Sequence, residues 1–367
     1  MRLAEAYADG TSWLFGADLA AIVARAGSRN PALEPLGLKE ARHLIVERTE
    51  SGHEAHTEAV ITFEGIRHGV ASWLAEPGPM GGLDYVSPDA TAAASVVLRD
   101  PGDAVRELLE WFEGADPKFR EALEQVRQGT GVDPVADLAE PLGGNLTVAL
   151  DGPVLPVPAW KVVVEVYDPA RLQRTAARIV QRANDELRKQ GREPLVTLLE
   201  DSAGGRVWST IRIAGSPMEI HWTYDQGWLV AGPSRALVER AIDARAAGIS
   251  LVRSPRFRDV LPVSSRTSFS ALVYDDAGRA FGELAGAARV VTGQDPAGAA
   301  SLPTDRPRLA YAWAEPDRIT LASDGEGGIG AELVSLISLS SHAGPGGFLR
   351  GRLGSAGVEA PEGPGER

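Results

Sequence analysis

The sequence lacks cysteine and has little lysine. Without cysteine it can form no disulfide, zinc finger, thiolate nucleophile or Cys-ligated cluster. Only four of its 37 basic residues are lysine, and 50 acidic residues give a net charge of -13. Because nucleic-acid binding depends on neutralising phosphates with basic side chains, this balance argues against a nucleic-acid partner. The sequence also lacks a run of 18 apolar residues, which predicts that it has no transmembrane segment.

What is present is typical of a folded protein. The 367 residues are 44% hydrophobic and 24% charged, which is too apolar for a disordered chain. This length predicts about two domains. The proline-rich residues 151–158 (DGPVLPVP) are the best candidate boundary. We therefore predict an N-terminal half (1–152), a C-terminal half (153–343) and a disordered Gly/Pro-rich tail (344–367).

A pattern of strand, aspartate and amphipathic helix recurs four times. Its clearest copy is residues 160–187, where a β-branched run precedes Asp168 and Pro169. An aspartate suits the N-cap of a helix, and proline suits the first helical position, where its missing N–H is not needed. This recurrence favours an internal repeat in which each aspartate caps a helix. The corresponding aspartates in the other copies are Asp18, Asp100 and Asp275, the last followed by Asp276.

Between these copies the sequence predicts antiparallel strands. Residues 42–48 and 57–64 alternate apolar and polar side chains around a polar turn, which indicates a hairpin. Residues 69–74 are predicted to add a third strand, and Ser234 is predicted to cap a helix over 235–246. The predicted fold is α+β: antiparallel meander sheets with helices packed on one face, in four strand–helix–meander repeats arranged as two related halves. The remaining predicted strands are 144–150, 206–213, 219–224, 228–231, 309–314 and 318–322.

Two motifs resemble ligand sites. Residues 53–56 (HEAH) resemble the zinc-protease motif, but their histidines are three residues apart instead of the four that place both rings on one helix face. Solvated turn residues are the preferred interpretation, and a weak metal site with Glu50 or Glu58 is the alternative. Residues 325–330 (GEGGIG) fit a dinucleotide fingerprint, but no βαβ unit follows. We predict no cofactor and no metal.

The sequence predicts no catalytic residue. It contains neither a nucleophile elbow nor a P-loop. Asp275 and Asp276, with Glu283 beyond, form the one acidic cluster that merits a test for a cation. Seven of the eight tryptophans lie in or beside predicted strands, which favours packing against the sheet. The alternative is an exposed aromatic patch for a hydrophobic ligand or a protein.

Three phrases carry a resemblance to a known family: residues 73–105 (WLAEPGPMGGLDYVSPDATAAASVVLRDPGDAV), 141–173 and 227–242. With residues 250–262, they are similar to an uncharacterised family of bacterial envelope proteins of the acidobacterial type. The resemblance covers about residues 10–322. It implies an exported or lipid-anchored protein of unknown function, and it assigns no catalytic residue.

These observations favour a non-enzymatic envelope protein that binds a protein or an amphipathic ligand, on a sheet face or in a groove between the halves. The alternative is an uncharacterised hydrolase with an acidic site near Asp275 and Asp276, acting with or without the help of a metal ion. Residues 1–10 lack the basic and apolar regions of a secretory signal. That favours the cytoplasm if Met1 is the native start, whereas the resemblance favours the periplasm or cell envelope.

Overall fold

A computed structural model describes residues 12–26, 36–51, 54–152, 158–262, 268–276, 278 and 306–324. These residues form one thirteen-stranded sheet in which all paired neighbours are antiparallel. Helices accompany the sheet, so the predicted α+β class with an antiparallel sheet is confirmed. The segment before β6 (153–157), the motif at 325–330 and the tail at 344–367 lie outside the described residues.

The sheet consists of groups of three or four neighbouring strands that are also consecutive in the chain. Their order across the sheet is β1-β2-β3-β13-β12-β11-β4-β5-β6-β10-β9-β8-β7. The strands are β1 (Trp13–Asp18), β2 (Ala41–Ser51), β3 (Glu54–Phe63), β4 (Ala92–Val97), β5 (Leu142–Leu150), β6 (Trp160–Val166), β7 (Val196–Ala203), β8 (Arg206–Ile213), β9 (Glu219–Asp225), β10 (Trp228–Gly232), β11 (Ala271–Asp275), β12 (Arg308–Glu315) and β13 (Arg318–Asp324).

The helices of the described residues connect these strands. They are α1 (Leu19–Ala26), α2 (Val70–Trp73), α3 (Pro101–Ala115), α4 (Pro117–Thr130), α5 (Pro169–Lys189), α6 (Arg235–Ala247) and α7 (Pro255–Arg258). Two 3₁₀ turns (Gly81–Tyr85 and Leu251–Arg253) and a π-helical turn (Pro134–Ala139) accompany them. None of the described helices is long and apolar enough to cross a membrane.

Three of the predicted cap aspartates cap helices. Asp168 accepts a hydrogen bond from the Arg171 backbone N–H at the start of α5. Asp18 and Asp100 do the same for α1 and α3, each at 2.9 Å. Ser234 caps α6 as predicted, accepting from the N–H of Leu237 at 3.4 Å. The helix predicted after Asp275 falls on residues of which the structure describes only 278.

Helices α5 and α6 cover opposite faces of the sheet. Val162 packs in one cluster with Ala176 of α5. Its neighbour Val163 packs in another with Val238 and Ile242 of α6. Successive residues of a strand point to opposite faces, so the two helices lie on different sides. The prediction that helices pack on one face is therefore wrong for this region, because β6 has an apolar side chain to bury on each side.

Strands β5 and β6 flank the predicted boundary and pair directly, with Val148 opposite Val162. One sheet therefore runs through both predicted halves, and the division into halves stays a prediction. The predicted strand over 69–74 is wrong, because residues 70–73 form the short helix α2. A buried arginine before this segment, Arg67, donates hydrogen bonds to the carbonyls of Ala71 and Leu74 and so holds a helical turn. The sequence patterns also missed β7 and α4.

Candidate functional site

An open cleft lies at the end of the sheet beside the β12–β13 turn. Its volume is about 530 Å³, within the range of small-molecule and peptide pockets. One wall is Glu76 and Pro77, which follow α2. The opposite wall is the turn between β12 and β13. Among the described residues, the lining comprises Glu76, Pro77, Ser268, Trp313, Glu315, Pro316, Asp317 and Arg318.

Backbone hydrogen bonds hold the two walls in place. The Arg67 N–H donates to the Pro316 carbonyl at 3.3 Å, and the Phe63 N–H donates to the Asp317 carbonyl at 2.8 Å. On the other wall, the Ala75 N–H donates to the Val97 carbonyl at 2.9 Å. The Arg67 side chain also donates to the carbonyls of Ala71 in α2 and of Leu74 just after it, and Glu76 acts on its guanidinium as a nearby negative charge. This one residue therefore interacts with both walls.

Trp313 connects the cleft to the protein interior. Its ring centroid lies 5.0 Å from that of Tyr311 and 5.8 Å from that of Phe269. Its indole N–H donates to the Ser268 carbonyl at 3.1 Å. Only 6% of Trp313 is exposed, so it forms a fixed floor and contributes little contact area. Buried aromatic rings with a satisfied N–H make a rigid base for a binding site.

The rim of the cleft is acidic. Glu76 and Asp317 are exposed, one on each wall. Glu315 forms an ion pair with Arg318, and the hydrogen bond that the Arg318 guanidinium donates to this carboxylate raises the pKa of the guanidinium. The described lining contains no histidine, and Ser268 supplies its one side-chain hydroxyl. These groups offer carboxylates for ion pairing.

The acidic pair identified in the sequence has a different environment. Asp275 is buried and lies 2.5 Å from an Arg308 nitrogen. Asp276 is buried and accepts hydrogen bonds from Arg256 and from the Tyr274 hydroxyl. Burial is the largest cause that raises the pKa of Tyr274, to about 12. Each carboxylate is thus matched by an arginine, and Glu283 lies outside the described residues.

Most of the HEAH motif lies in a strand, because residues 54–56 belong to β3. His53 is outside the described residues, whereas His56 lies in β3 with its Nδ1 atom 2.6 Å from Oδ1 of Asp324. The interpretation of His56 as a solvated turn residue is therefore wrong, because β3 extends back to Glu54. Among the described residues no group of three or more acidic or histidine side chains has the arrangement of a metal site.

The structure also assembles two buried polar networks that sequence reasoning missed. Lys161 Nζ lies 2.6 Å from Asp151 Oδ2, and the Ser87 N–H and hydroxyl donate to the same carboxylate. The Tyr85 hydroxyl donates to Asp225, and burial is the largest cause that raises the Tyr85 pKa. The sequence did contain one signal for the first network. Lys161 lies in the otherwise apolar start of β6, and a buried lysine needs an acidic or polar partner.

Four of the eight tryptophans are buried in the core, which agrees with the prediction for these four. Trp160, Trp208, Trp222 and Trp313 are buried. Trp13 differs, because it lies on β1 and stacks on Phe15 with centroids 6.1 Å apart, both rings being exposed.

No protein-family model matches the chain, and no curated protein is similar to it. The cleft therefore has to be interpreted from its own chemistry. Its rigid floor, apolar proline surfaces and acidic rim are suited to reversible binding.

Proposed function

We propose that this protein is a non-enzymatic binding or scaffold protein that holds a protein or an amphipathic ligand in this cleft. The observation that carries the proposal is the composition of the cleft. Glu76 and Pro77 come from the predicted N-terminal half, whereas Ser268, Trp313 and residues 315–318 come from the predicted C-terminal half. A groove between the halves was one of the two binding surfaces that the sequence favoured.

The electrostatics of the other acidic groups support binding over hydrolysis. A hydrolase site near Asp275 and Asp276 would need carboxylates that face a substrate. Both of these carboxylates are buried against arginine side chains. Helix caps and buried ion pairs account for the aspartates that recur in the sequence, so these aspartates need no catalytic role to explain them.

An internal duplication is part of the proposal. In one unit β1, α1, β2 and β3 follow one another, and β11, β12 and β13 follow in the same strand order. The two units meet through the antiparallel pair of β3 and β13, which is the relation expected of two copies about an approximate twofold axis. This arrangement supports a relation between the first and the fourth unit, and the proposal extends it to four strand–aspartate–helix units in two related halves. It adds no catalytic group.

The cell envelope is the proposed location, and it rests on the family resemblance of residues 73–105, 141–173 and 227–242. The test is affinity capture from the envelope and cytosolic fractions of the native organism, with the partners identified by mass spectrometry. Three baits are compared: the wild type, Glu76→Lys/Asp317→Lys in the cleft, and Glu110→Lys/Glu121→Lys on the exposed faces of α3 and α4.

We expect envelope components that the wild type and the α3/α4 variant retain and the cleft variant loses. Recovery of a lone cytosolic chain would refute the envelope binding function. The same partners on all three baits would show that the cleft is not the binding site.

A further inference from the structure

We infer that the ligand of the cleft is a peptide segment that presents an arginine or lysine side chain to the acidic rim. This inference rests on the proposed function, because it names the ligand class of the same cleft. It follows from the balance of charge at the rim, from the surfaces between the two walls and from the shape of the opening.

The charge balance favours a cation. The described lining carries three carboxylates, from Glu76, Glu315 and Asp317, against the single guanidinium of Arg318. Arg318 is already bonded to Glu315. Glu76 and Asp317 are both exposed. Their carboxylates act as nearby negative charges on the guanidinium groups of Arg67 and Arg318, respectively, and neither is hydrogen-bonded to another described residue, so both can accept a hydrogen bond from a ligand. An anionic ligand would meet two repulsive carboxylates, whereas a cation would meet two acceptors.

The surfaces between these carboxylates favour a long basic side chain. Pro77 and Pro316 are exposed, one on each wall, and their rings are rigid and apolar. The methylene stem of arginine or lysine packs on apolar surface while its charged head remains at the polar rim. A guanidinium also makes two parallel hydrogen bonds to one carboxylate, which adds geometric selectivity.

The form of the site favours a peptide over a free amine. The cleft is open along its rim, so a ligand can enter with one side chain while its backbone passes across Pro77 and Pro316. Trp313 is almost fully covered and its N–H is bonded to Ser268, so the floor offers no deep aromatic cage for a small ammonium ion. Recognition therefore comes from the rim and the proline surfaces.

The test uses the full chain and three fluorescein-labelled short peptides that differ at two positions only. One carries arginine at both positions, the second carries the neutral isostere citrulline, and the third carries glutamate. Binding is measured by fluorescence anisotropy at low and at high ionic strength. Free arginine amide is added as a competitor, to separate a peptide ligand from a small amine.

The proteins are the wild type, Glu76→Gln/Asp317→Asn and the control Glu110→Gln/Glu121→Gln. Both variants remove two negative charges, and the control removes them from exposed positions on α3 and α4. Because all four side chains are exposed, we expect only small changes in the unfolding curves, the larger one in the cleft variant, where Glu76 no longer acts on the buried Arg67. We expect the arginine peptide to bind about tenfold more weakly to the cleft variant, as for two rim ion pairs, and within about twofold of wild type to the control.

The outcomes separate this inference from the proposed function. If citrulline and arginine peptides bind equally and the cleft variant weakens both, the binding function stands and the basic ligand is refuted. Equal losses of affinity in the two variants would mean diffuse attraction to an acidic protein and would also refute the basic peptide ligand.

If arginine amide competes as well as the peptide, the ligand is a small amine and the inference of a peptide is refuted. If no peptide binds at all, the inference of a basic peptide ligand is refuted, and the affinity capture with the three baits decides whether the binding function stands. Sedimentation that reveals a dimer lost in the cleft variant would assign the cleft to a second copy and overturn the inference.

Discussion

His56 on β3 faces Asp324 on β13, with Nδ1 of the imidazole 2.6 Å from Oδ1 of the carboxylate. The Tyr311 hydroxyl donates to the other oxygen of Asp324 at 3.3 Å. This contact joins the first three strands of the chain to its last two, near one edge of their common sheet. Its strength depends on the charge of His56, so it makes the stability of this joint sensitive to pH.

The first prediction concerns this pH dependence. The hydrogen bond to Asp324 raises the pKa of His56 above the usual 6.5, and burial opposes the shift. Because the pKa of His56 is higher in the folded than in the unfolded protein, its protonation stabilises the fold. This contribution is fully present when the pH is below the pKa of the unfolded state, and it is lost as the pH rises through the pKa of the folded state. The side chains of His56 and Asp324 are 43% and 38% exposed, so water screens their interaction. We therefore expect the pair to contribute less than about 1 kcal/mol to the free energy of unfolding.

The measurement is urea unfolding of the wild type and His56→Gln across acidic to alkaline pH. The wild type should exceed the variant most in acid, and the difference should shrink at alkaline pH. Asp324→Asn should lower the pKa of His56 in an NMR titration. A difference that grows with rising pH would contradict the sign of this prediction.

The second prediction concerns Lys161 and Asp151, which are buried and 2.6 Å apart. Lys161→Met leaves the Asp151 carboxylate buried without its counter-charge. We expect a loss of about 3–5 kcal/mol in the free energy of unfolding. Lys161→Met/Asp151→Leu should be less destabilised than the sum of its single variants, which a double-mutant cycle by urea unfolding measures.

The control for that cycle is the exposed pair of Arg188 and Asp185 on α5, 2.8 Å apart. Arg188→Met should change the free energy of unfolding by less than about 0.5 kcal/mol. Equal losses at the buried and exposed pairs would refute the assigned role of burial.

Local chemistry made part of this fold predictable. Asp100 and Asp168 each precede a proline and an amphipathic run, so the cap, the first helical residue and the buried stripe agree on the start of a helix. In the hairpin of β2 and β3, the alternation of apolar and polar side chains and the polar turn between the two runs likewise point to the same structure. Where several local signals agree, the sequence predicted the element.

The remaining elements depend on contacts that are distant in the chain. Residues 69–74 read as a strand, but the side chain of Arg67 holds them as a helical turn. The cleft could not be found from sequence at all, because Glu76 and Asp317 come together only through the order of strands in the sheet. No spacing pattern links residues so far apart.

The third prediction compares two glycines. Gly144 lies on β5, where an added Cβ would be 2.3 Å from the Leu98 carbonyl oxygen. Gly144→Ala must displace backbone and should cost more than about 1 kcal/mol. Gly114 lies in α3, where nothing lies within 4 Å of an added Cβ. Gly114→Ala should stabilise the protein by about 0.5–1 kcal/mol, because alanine is the better helix former. Thermal and urea unfolding of both variants tests the opposite signs.

The last prediction concerns Arg67, which is 1% exposed. Its guanidinium donates to the carbonyls of Ala71 and Leu74, and its backbone N–H donates to Pro316 on the other wall of the cleft. Burial lowers the pKa of this guanidinium. Arg67→Met leaves two carbonyls without donors and should cost about 2–4 kcal/mol. Arg67→Lys keeps the charge but lacks the planar fork, so it should restore only part of the loss.

Two measurements separate the stability effect from an effect on the cleft. Urea unfolding gives the loss of stability, and anisotropy with the arginine peptide, under conditions where each variant is folded, gives the effect on binding. Because Arg67 holds the wall that carries Glu76 while contacting the wall that carries Asp317, both variants should bind the peptide more weakly even when folded. A folded Arg67→Met variant with wild-type affinity would mean that the walls are held by the surrounding sheet, and that Arg67 contributes to stability alone.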